Sequence, residues 1–256
     1  MLKLLIGKDW TVNRREIFNR IAQDVHNKLR NRILLVPELI SHQCERLLCE
    51  AAGDTASRYA EVLSFTRLVQ RVSDYAGTAV YPCLDNGGRI VAMASVSRQL
   101  SSRLKAYAAM ETKPEFLEGL MDAVDEFKRC CITPADLFNA SKSMDGSFAQ
   151  KLEELSLIME CYDALCVRGK RDPRDQMSWL LEQMEDCSFA EEHVFYIDGF
   201  PDFTRQNLEI IAHLIKTAPC VTISLNCDEI ASDWLSFEKA GQTAQEIIRI
   251  AQKAGV

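Results

Sequence analysis

The sequence predicts an α/β fold in which a parallel sheet is interrupted by an all-helical insertion. Two observations carry this. Short, wholly apolar runs alternate with amphipathic helical stretches over residues 1–80 and again from 194 onward. Between about 86 and 188 the strand-like runs vanish and only stripes of helical period remain. Strands that are apolar on both sides, separated by helices, indicate a parallel sheet covered on both faces.

The elements follow in order. Leu2–Ile6 is a strand bounded by Gly7. Phe18, Ile21, Val25 and Leu29 recur at helical spacing and form one face of a helix. Ile33-Leu34-Leu35-Val36 is a second strand, stopped by Pro37, and Cys44, Leu47, Leu48 and Ala51 mark the next helix. Val62-Leu63-Ser64-Phe65 is a third strand, and Leu68, Val69, Val72 and Tyr75 stripe the helix after it.

In the insertion, Met93, Val96, Leu100, Leu104 and Tyr107 form one stripe and Phe116 to Phe127 another. Thr133-Pro134-Ala135-Asp136 supplies a cap residue, Pro at the first helical position and an acid in the first turn. Asp172-Pro173-Arg174-Asp175 repeats that start signal, and a long stripe from Leu152 to Leu165 lies between the two. Strand–helix alternation resumes with Val194–Ile197, a helix after Thr204, Val221–Leu225 and a last helix carrying Ala244, Ile247, Ile248 and Ala251. The predicted division is 1–85 with 189–256 for the sheet domain and 86–188 for the helical insertion.

The chain has 256 residues, 47% of them hydrophobic, which is ample for one large core or two smaller ones. Its net charge of -7 excludes a generic, strongly basic nucleic-acid binder, so any DNA contact uses a local patch. Such a bias exists: from Arg58 to Lys105 there are seven basic residues against three acids. The ten cysteines form no CxxC pair and the histidines no HExxH, so neither zinc nor a disulfide framework is indicated. The opening apolar run is too short for a signal peptide and no stretch is long enough for a membrane span, so a reduced, cytoplasmic setting is expected.

Three segments could carry chemistry. A phosphate-binding loop has the pattern GxxxxGK[ST]: glycines let backbone N–H groups close on phosphate, the lysine reaches it, and the hydroxyl holds magnesium. Gly7-Lys8-Asp9-Trp10-Thr11-Val12-Asn13-Arg14 keeps the first glycine, with Val12, Asn13 and Arg14 at the other three positions. On spacing alone this is an ordinary strand–turn–helix capped by Asp9 or Thr11, with Lys8 or Arg14 able to draw a phosphate to the helix start. Asp198, after the Val194–Ile197 strand, is either a turn aspartate beside Gly199 or an acid where parallel sheets bind ligands. Ser64-Phe65-Thr66-Arg67-Leu68 is either a capped helix with a solvated arginine or a seat for a phosphate backbone, with Phe65 as core or as a stacking platform.

These residues together resemble the N-terminal region of the AddB (RexB-type) family of helicase–deoxyribonuclease subunits. The resemblance runs over most of the chain, and is most specific in Ser64-Phe65-Thr66-Arg67-Leu68 and in Ile197-Asp198-Gly199-Phe200-Pro201-Asp202-Phe203-Thr204. It implies a RecA-like, P-loop NTPase-type sheet of the superfamily 1 helicase kind, broken by a helical domain. It implies work on DNA in bacterial double-strand-break end processing, beside an AddA-type partner. By the same resemblance Gly7, Asn13, Arg14 and Asp198 occupy the nucleotide site, Asp198 being the magnesium-holding acid, while Ser64, Phe65 and Arg67 lie along single-stranded DNA. Gln206 matches a glutamine of the family, with Arg205 where a proline is usual. The family's iron–sulfur cluster belongs to a later part, so the chain reads as the front end of a longer protein. The departures at Val12, Asn13 and Arg14 lead to the expectation of a DNA-binding scaffold with a degenerate ATP site and no ATPase or nuclease activity of its own. Two alternatives stay open: an ATP-hydrolysing domain with an atypical loop, and a partner-docking module without DNA contact.

Overall fold

The computed structural model describes residues 1–107, 113–230, 235 and 237–256. The chain divides into two compact units, Met1–Val80 with Met177–Val256, and Tyr81–Gln176.

The first unit is built on five parallel strands: β1 (Leu2–Ile6), β2 (Arg32–Leu35), β3 (Ala60–Leu63), β4 (Val194–Ile197) and β5 (Val221–Leu225), in the order β1-β5-β4-β2-β3. The α/β parallel sheet expected from the sequence is therefore present. Its two faces are separated by strand alternation. Leu34, Val36, Val62 and Tyr196 point to one core, shared with α1 (Trp10–His26) and α2 (Ser41–Ala52). Ile33, Leu35, Leu63, Phe195, Ile197 and Ile223 point to the other. That second core is closed by α3 (Phe65–Ala76), residues of the later helix Gln176–Glu185, the short helix Phe189–Glu192, and the helices Arg205–Thr217 and Glu238–Ala254. Each fully buried Leu or Ile in these layers contributes about 1.5–3 kcal/mol.

The connections β1–α1–β2 and β2–α2–β3 run outward across the sheet, and β4–(Arg205–Thr217)–β5 returns on the opposite face. The lateral direction of the connections thus reverses across β1, β5 and β4, while the strands stay parallel. A crevice opens at the carboxyl ends of strands at such a switch point.

The second unit contains α4 (Asn86–Leu100), α5 (Pro114–Arg129), α6 (Pro134–Ser141) and α7 (Gly146–Val167). Its core is Met93, Val96, Leu120, Val124, Ile158 and Tyr162 with their neighbours. The Thr133 start signal is a reciprocal capping box with Asp136. The stripe Met93–Tyr107 does not stay helical to its end. Helix α4 stops at Leu100, although Leu104 is still buried. The cause lies on α7: the Glu154 carboxylate accepts the backbone N–H groups of Lys105, Ala106 and Tyr107, which a continuing helix would have kept for itself. Asp172 likewise begins a short 3-10 turn, Pro173–Asp175, which leads into α8 (Gln176–Glu185). The remaining helices are α9 (Phe189–Glu192), α10 (Arg205–Thr217) and α11 (Glu238–Ala254). No helix among the described residues is long and apolar enough to cross a membrane.

Candidate functional site

Three strand ends meet at the switch point. Gly7 follows β1, Asn226 follows β5 and Asp198 follows β4. The turn after β1 is short, because α1 begins at Trp10 with Asp9 as its cap. One Asp9 oxygen accepts the Thr11 N–H at 2.8 Å and the Thr11 hydroxyl at 2.6 Å. The Asp9 backbone carbonyl accepts the N–H groups of Val12 and Asn13. The Thr11 hydroxyl and N–H hold the Asp9 carboxyl below its ordinary range. The N–H groups of Thr11, Val12 and Asn13, which a phosphate loop would turn to its ligand, are thus engaged by the chain's own carboxylate and first helical turn.

Asn13 and Arg14 face inward from that turn, both more than nine-tenths buried. The Asn13 amide donates to the Leu225 carbonyl at 3.2 Å and to the Gly7 carbonyl at 3.4 Å, tying the end of β5 to the β1 turn. Gly7 is needed for this closeness, since a Cβ there would lie 2.5 Å from Asn13 Oδ1.

Arg14 crosses the crevice to Asp198. Its Nε donates to Asp198 Oδ2 at 2.6 Å, with side-chain exposures of 11% and 6%. The Ser224 hydroxyl donates to the other oxygen, Oδ1. The Trp10 ring lies against the guanidinium, 4.9 Å from carbon to centroid. Gly199 takes a φ of +83°, and a Cβ there would sit 2.9 Å from both Arg14 Nη2 and Ile40 Cδ1. The space left between Trp10, Asp198, Phe200 and Asn226 is about 200 Å³, below the roughly 300–1,000 Å³ of ordinary ligand pockets. Both Asp198 oxygens have protein donors, no hydroxyl stands at position 14 and no lysine at 13. This donor set does not fit an octahedral, all-oxygen magnesium site. Among the described residues no three metal-type side chains cluster.

The second predicted segment lies at the same edge of the sheet, after β3. Strand β3 ends at Leu63, not at Phe65, because the Ser64 hydroxyl accepts the Arg67 N–H and caps α3. Phe65 is the first residue of α3. Its ring is buried edge-on against Phe200, with centroids 5.5 Å apart, and Phe200 packs on Phe203. Packing of Phe65 on Phe200 therefore joins this segment to the one carrying Asp198. Arg67 is 41% exposed and its Nη1 donates to Glu45 of α2 at 2.6 Å. That hydrogen bond holds the Glu45 carboxyl below its ordinary range. One turn on, Arg71 pairs with Glu61 at 2.9 Å. Gln206 lies in the first turn of α10 and is buried.

The fold brings Gly7, Asn13, Arg14 and Asp198 into one cluster and sets Ser64, Phe65 and Arg67 beside it. Sequence reasoning gave no role to Trp10, Ser224 or Glu45, and saw Gly199 only as the turn glycine beside Asp198.

Comparison with known proteins adds an independent line. The family described as "ADDB, N-terminal" matches residues 4–256. A protein from Acetivibrio thermocellus, named as the B subunit of an ATP-dependent helicase/deoxyribonuclease, is 28% identical over 246 residues, or 94% of this chain and 21% of that protein. A protein of the same name from Clostridium perfringens (strain SM101 / Type A) is 27% identical over 260 residues, covering 100% of this chain and 22% of that protein. One from Thermoanaerobacter sp. (strain X514) is 30% identical over 197 residues, 77% of this chain and 17% of that protein. The chain thus spans about a fifth of the length of the curated relatives it matches.

Proposed function

The chain belongs to the AddB N-terminal family, and from that premise we propose that it is a DNA-handling, helicase-like part that does not turn over ATP. It works in a bacterial, cytoplasmic end-processing helicase–nuclease. An AddA-type partner supplies the motor. The sheet unit is the RecA-like half; its extent is Met1–Val80 with Met177–Val256 rather than the 1–85 and 189–256 expected from the sequence, and Tyr81–Gln176 is its helical insertion.

The observation that carries this reading is the Arg14–Asp198 ion pair. In a working site the residue at position 14 helps hold magnesium and the strand-end acid holds it from the other side. Here the side chain at position 14 is itself the cation on that acid. The capped turn at Asp9 supports the same conclusion, since it places a carboxylate where phosphate would approach. The DNA surface is the edge formed by Ser64, Phe65 and Arg67: Ser64 caps α3, Phe65 anchors its start, and Arg67 presents the cation.

Titration of the chain with a fluorescent ATP analogue and magnesium tests the first half. No saturation is expected up to about 1 mM, the upper end of ordinary substrate ranges. Saturable binding that Asp198→Ala abolishes would overturn it. A salt series of single-strand binding, with and without Arg67→Ala, tests the second half. Indifference of both the chain and the intact complex to Arg67 would leave a docking module without DNA contact.

A further inference from the structure

Helix α7 is followed by Arg168-Gly169-Lys170-Arg171-Asp172-Pro173-Arg174-Asp175, four cations and two acids in eight residues. The fold sorts them. Asp172 is fully buried, faces Arg89 at 3.3 Å and Lys128 at 3.6 Å, and accepts the Arg174 N–H at 2.9 Å. Asp175 is held by Lys128 at 2.6 Å, and Arg174 by Asp125 at 2.7 Å. The acids of the segment are therefore spent on cations from α4 and α5.

What remains outside is positive. Arg168 and Lys170 are exposed and Arg171 half-exposed, and among the described residues none of the three has an ion pair. The Arg171 guanidinium stacks on the half-exposed Tyr81 ring, 4.2 Å from its centroid. The backbone is pinned: Arg171 N–H donates to the Pro82 carbonyl at 3.0 Å and Leu84 N–H to the Arg171 carbonyl at 2.8 Å. Below it, buried Asp172 fixes the segment to the helices.

We propose that Arg168, Lys170 and Arg171, with Tyr81, form a contact for the phosphodiester backbone of nucleic acid. Three unneutralised cations within four residues, in a chain of net charge -7, make a local site of the kind that releases counterions on phosphate. A pinned loop loses little entropy on binding. A guanidinium stacked on a ring keeps its N–H edge for phosphate oxygens, and the half-exposed ring adds an aromatic surface beside them. An acidic peptide would use the charges but not the ring. The inference stands on the chemistry of this loop and not on the sheet edge, so Arg67→Ala and the loop variants fail or succeed separately.

The test is fluorescence anisotropy of a labelled single strand and of a labelled duplex, titrated with the whole chain between about 50 and 200 mM salt. The variants are Arg168→Gln/Lys170→Gln/Arg171→Gln and the charge-keeping Arg168→Lys/Arg171→Lys. Three lost contacts lower the salt slope by about 2.1 on a single strand or about 2.7 on a duplex, so the affected arm identifies the strand form. At about 0.15 M salt the single-strand affinity falls roughly 50-fold by the same relation. The charge-keeping variant retains the slope, and the thermal midpoints of both match the parent. The proposal is overturned if the parent binds neither nucleic acid at the lowest salt, or if the triple variant keeps the parent's slope. It is also overturned if the variant loses binding to polyglutamate while its DNA binding is unchanged, which would make the loop a dock for an acidic protein.

Discussion

Arg14 Nε lies 2.6 Å from Asp198 Oδ2, a bond between residues 184 apart in the chain. It joins the first helix to the end of the central strand β4. A carboxylate buried at a strand end is costly unless something neutralises it. Here the neutralising group is a side chain that the sequence supplies at a position where a nucleotide site would carry a hydroxyl.

That arrangement predicts strong coupling. Arg14→Ala and Asp198→Asn each remove one partner of a largely buried pair, and each is expected to cost roughly 3 kcal/mol. The double variant is expected to lose less than the sum, with a coupling of roughly 2 kcal/mol. Urea unfolding of the four proteins measures this, and simple additivity would mean that the pair does not hold the crevice together.

The cap at Asp9 makes a second prediction. Val12→Gly/Asn13→Lys/Arg14→Thr restores the pattern GxxxxGK[ST], but leaves the Thr11 N–H on the Asp9 carboxylate. That carboxyl is held below its usual range, so it stays charged at neutral pH and repels phosphate. The triple variant is therefore expected not to bind magnesium–ATP, while adding Asp9→Gly, a tolerated cap, opens the turn and gives saturable binding. Equal binding by the triple and quadruple variants in calorimetry would show that the cap is no obstacle.

Much of this fold is legible locally. All five strands lie within two residues of their apolar runs, because a sheet with helices on both faces leaves a largely hydrophobic signature, although Lys3 and Glu61 reach solvent. The cap at Asp9, one of two candidates beside Thr11, and the helix start at Thr133 were also visible, being contacts between residues two or three apart. What local reading misplaced depends on distant partners. The end of α4 is set by Glu154, about fifty residues on. Phe65 had a strand-like neighbourhood, yet it starts a helix because Ser64 turns its hydroxyl onto the Arg67 N–H. At the site, the identities of Asn13 and Arg14 were plain in the sequence, but their bonds to Leu225 and Asp198 were not. No period or spacing announces a pair across the sheet, and Ser224 looked like any residue of a buried strand.

Gly199 supplies a third prediction. Its φ of +83° costs an L-residue roughly 1–2 kcal/mol, and a Cβ would press on Arg14 and Ile40 at 2.9 Å. Gly199→Ala should lose at least that much in urea unfolding. Asparagine tolerates positive φ better than alanine, so Gly199→Asn separates strain from space. Full rescue by asparagine would mean that crowding against Arg14 does not matter.

His193 gives the chain a pH dependence. The ring is buried, stacks on Phe189 with centroids 4.1 Å apart, and its Nδ1–H donates to the Phe189 carbonyl at 2.7 Å. Burial, helped by Arg71 and opposed by that hydrogen bond and by Glu61 and Glu192, lowers its pKa below the ordinary 6.5. The folded state thus resists a proton that the unfolded chain accepts. Its stability contribution is complete above about 6.5 and is lost as pH falls through the folded value. Urea midpoints are expected to drop on acidification below about 6.5. His193→Phe should reduce the slope, and His213, also lowered by burial, should preserve part of it. An unchanged slope in His193→Phe would remove this histidine from the account.

The pairing of Arg67 with Glu45 sets the last prediction, which concerns DNA. The pair is well exposed on both sides, so it stabilises the fold by at most about 1 kcal/mol, and a phosphate can displace it. Glu45 nevertheless competes, because the Arg67 hydrogen bond lowers its carboxyl pKa and keeps it charged at neutral pH. Glu45→Gln is therefore expected to strengthen single-strand binding several-fold, and Arg67→Ala to weaken it and lower the salt slope by about 0.7. The double variant should bind like Arg67→Ala alone, because Glu45 acts only through the arginine. If Glu45→Gln strengthened binding equally with and without Arg67, it would be acting through general charge, and Arg67 would not be the residue that meets the strand.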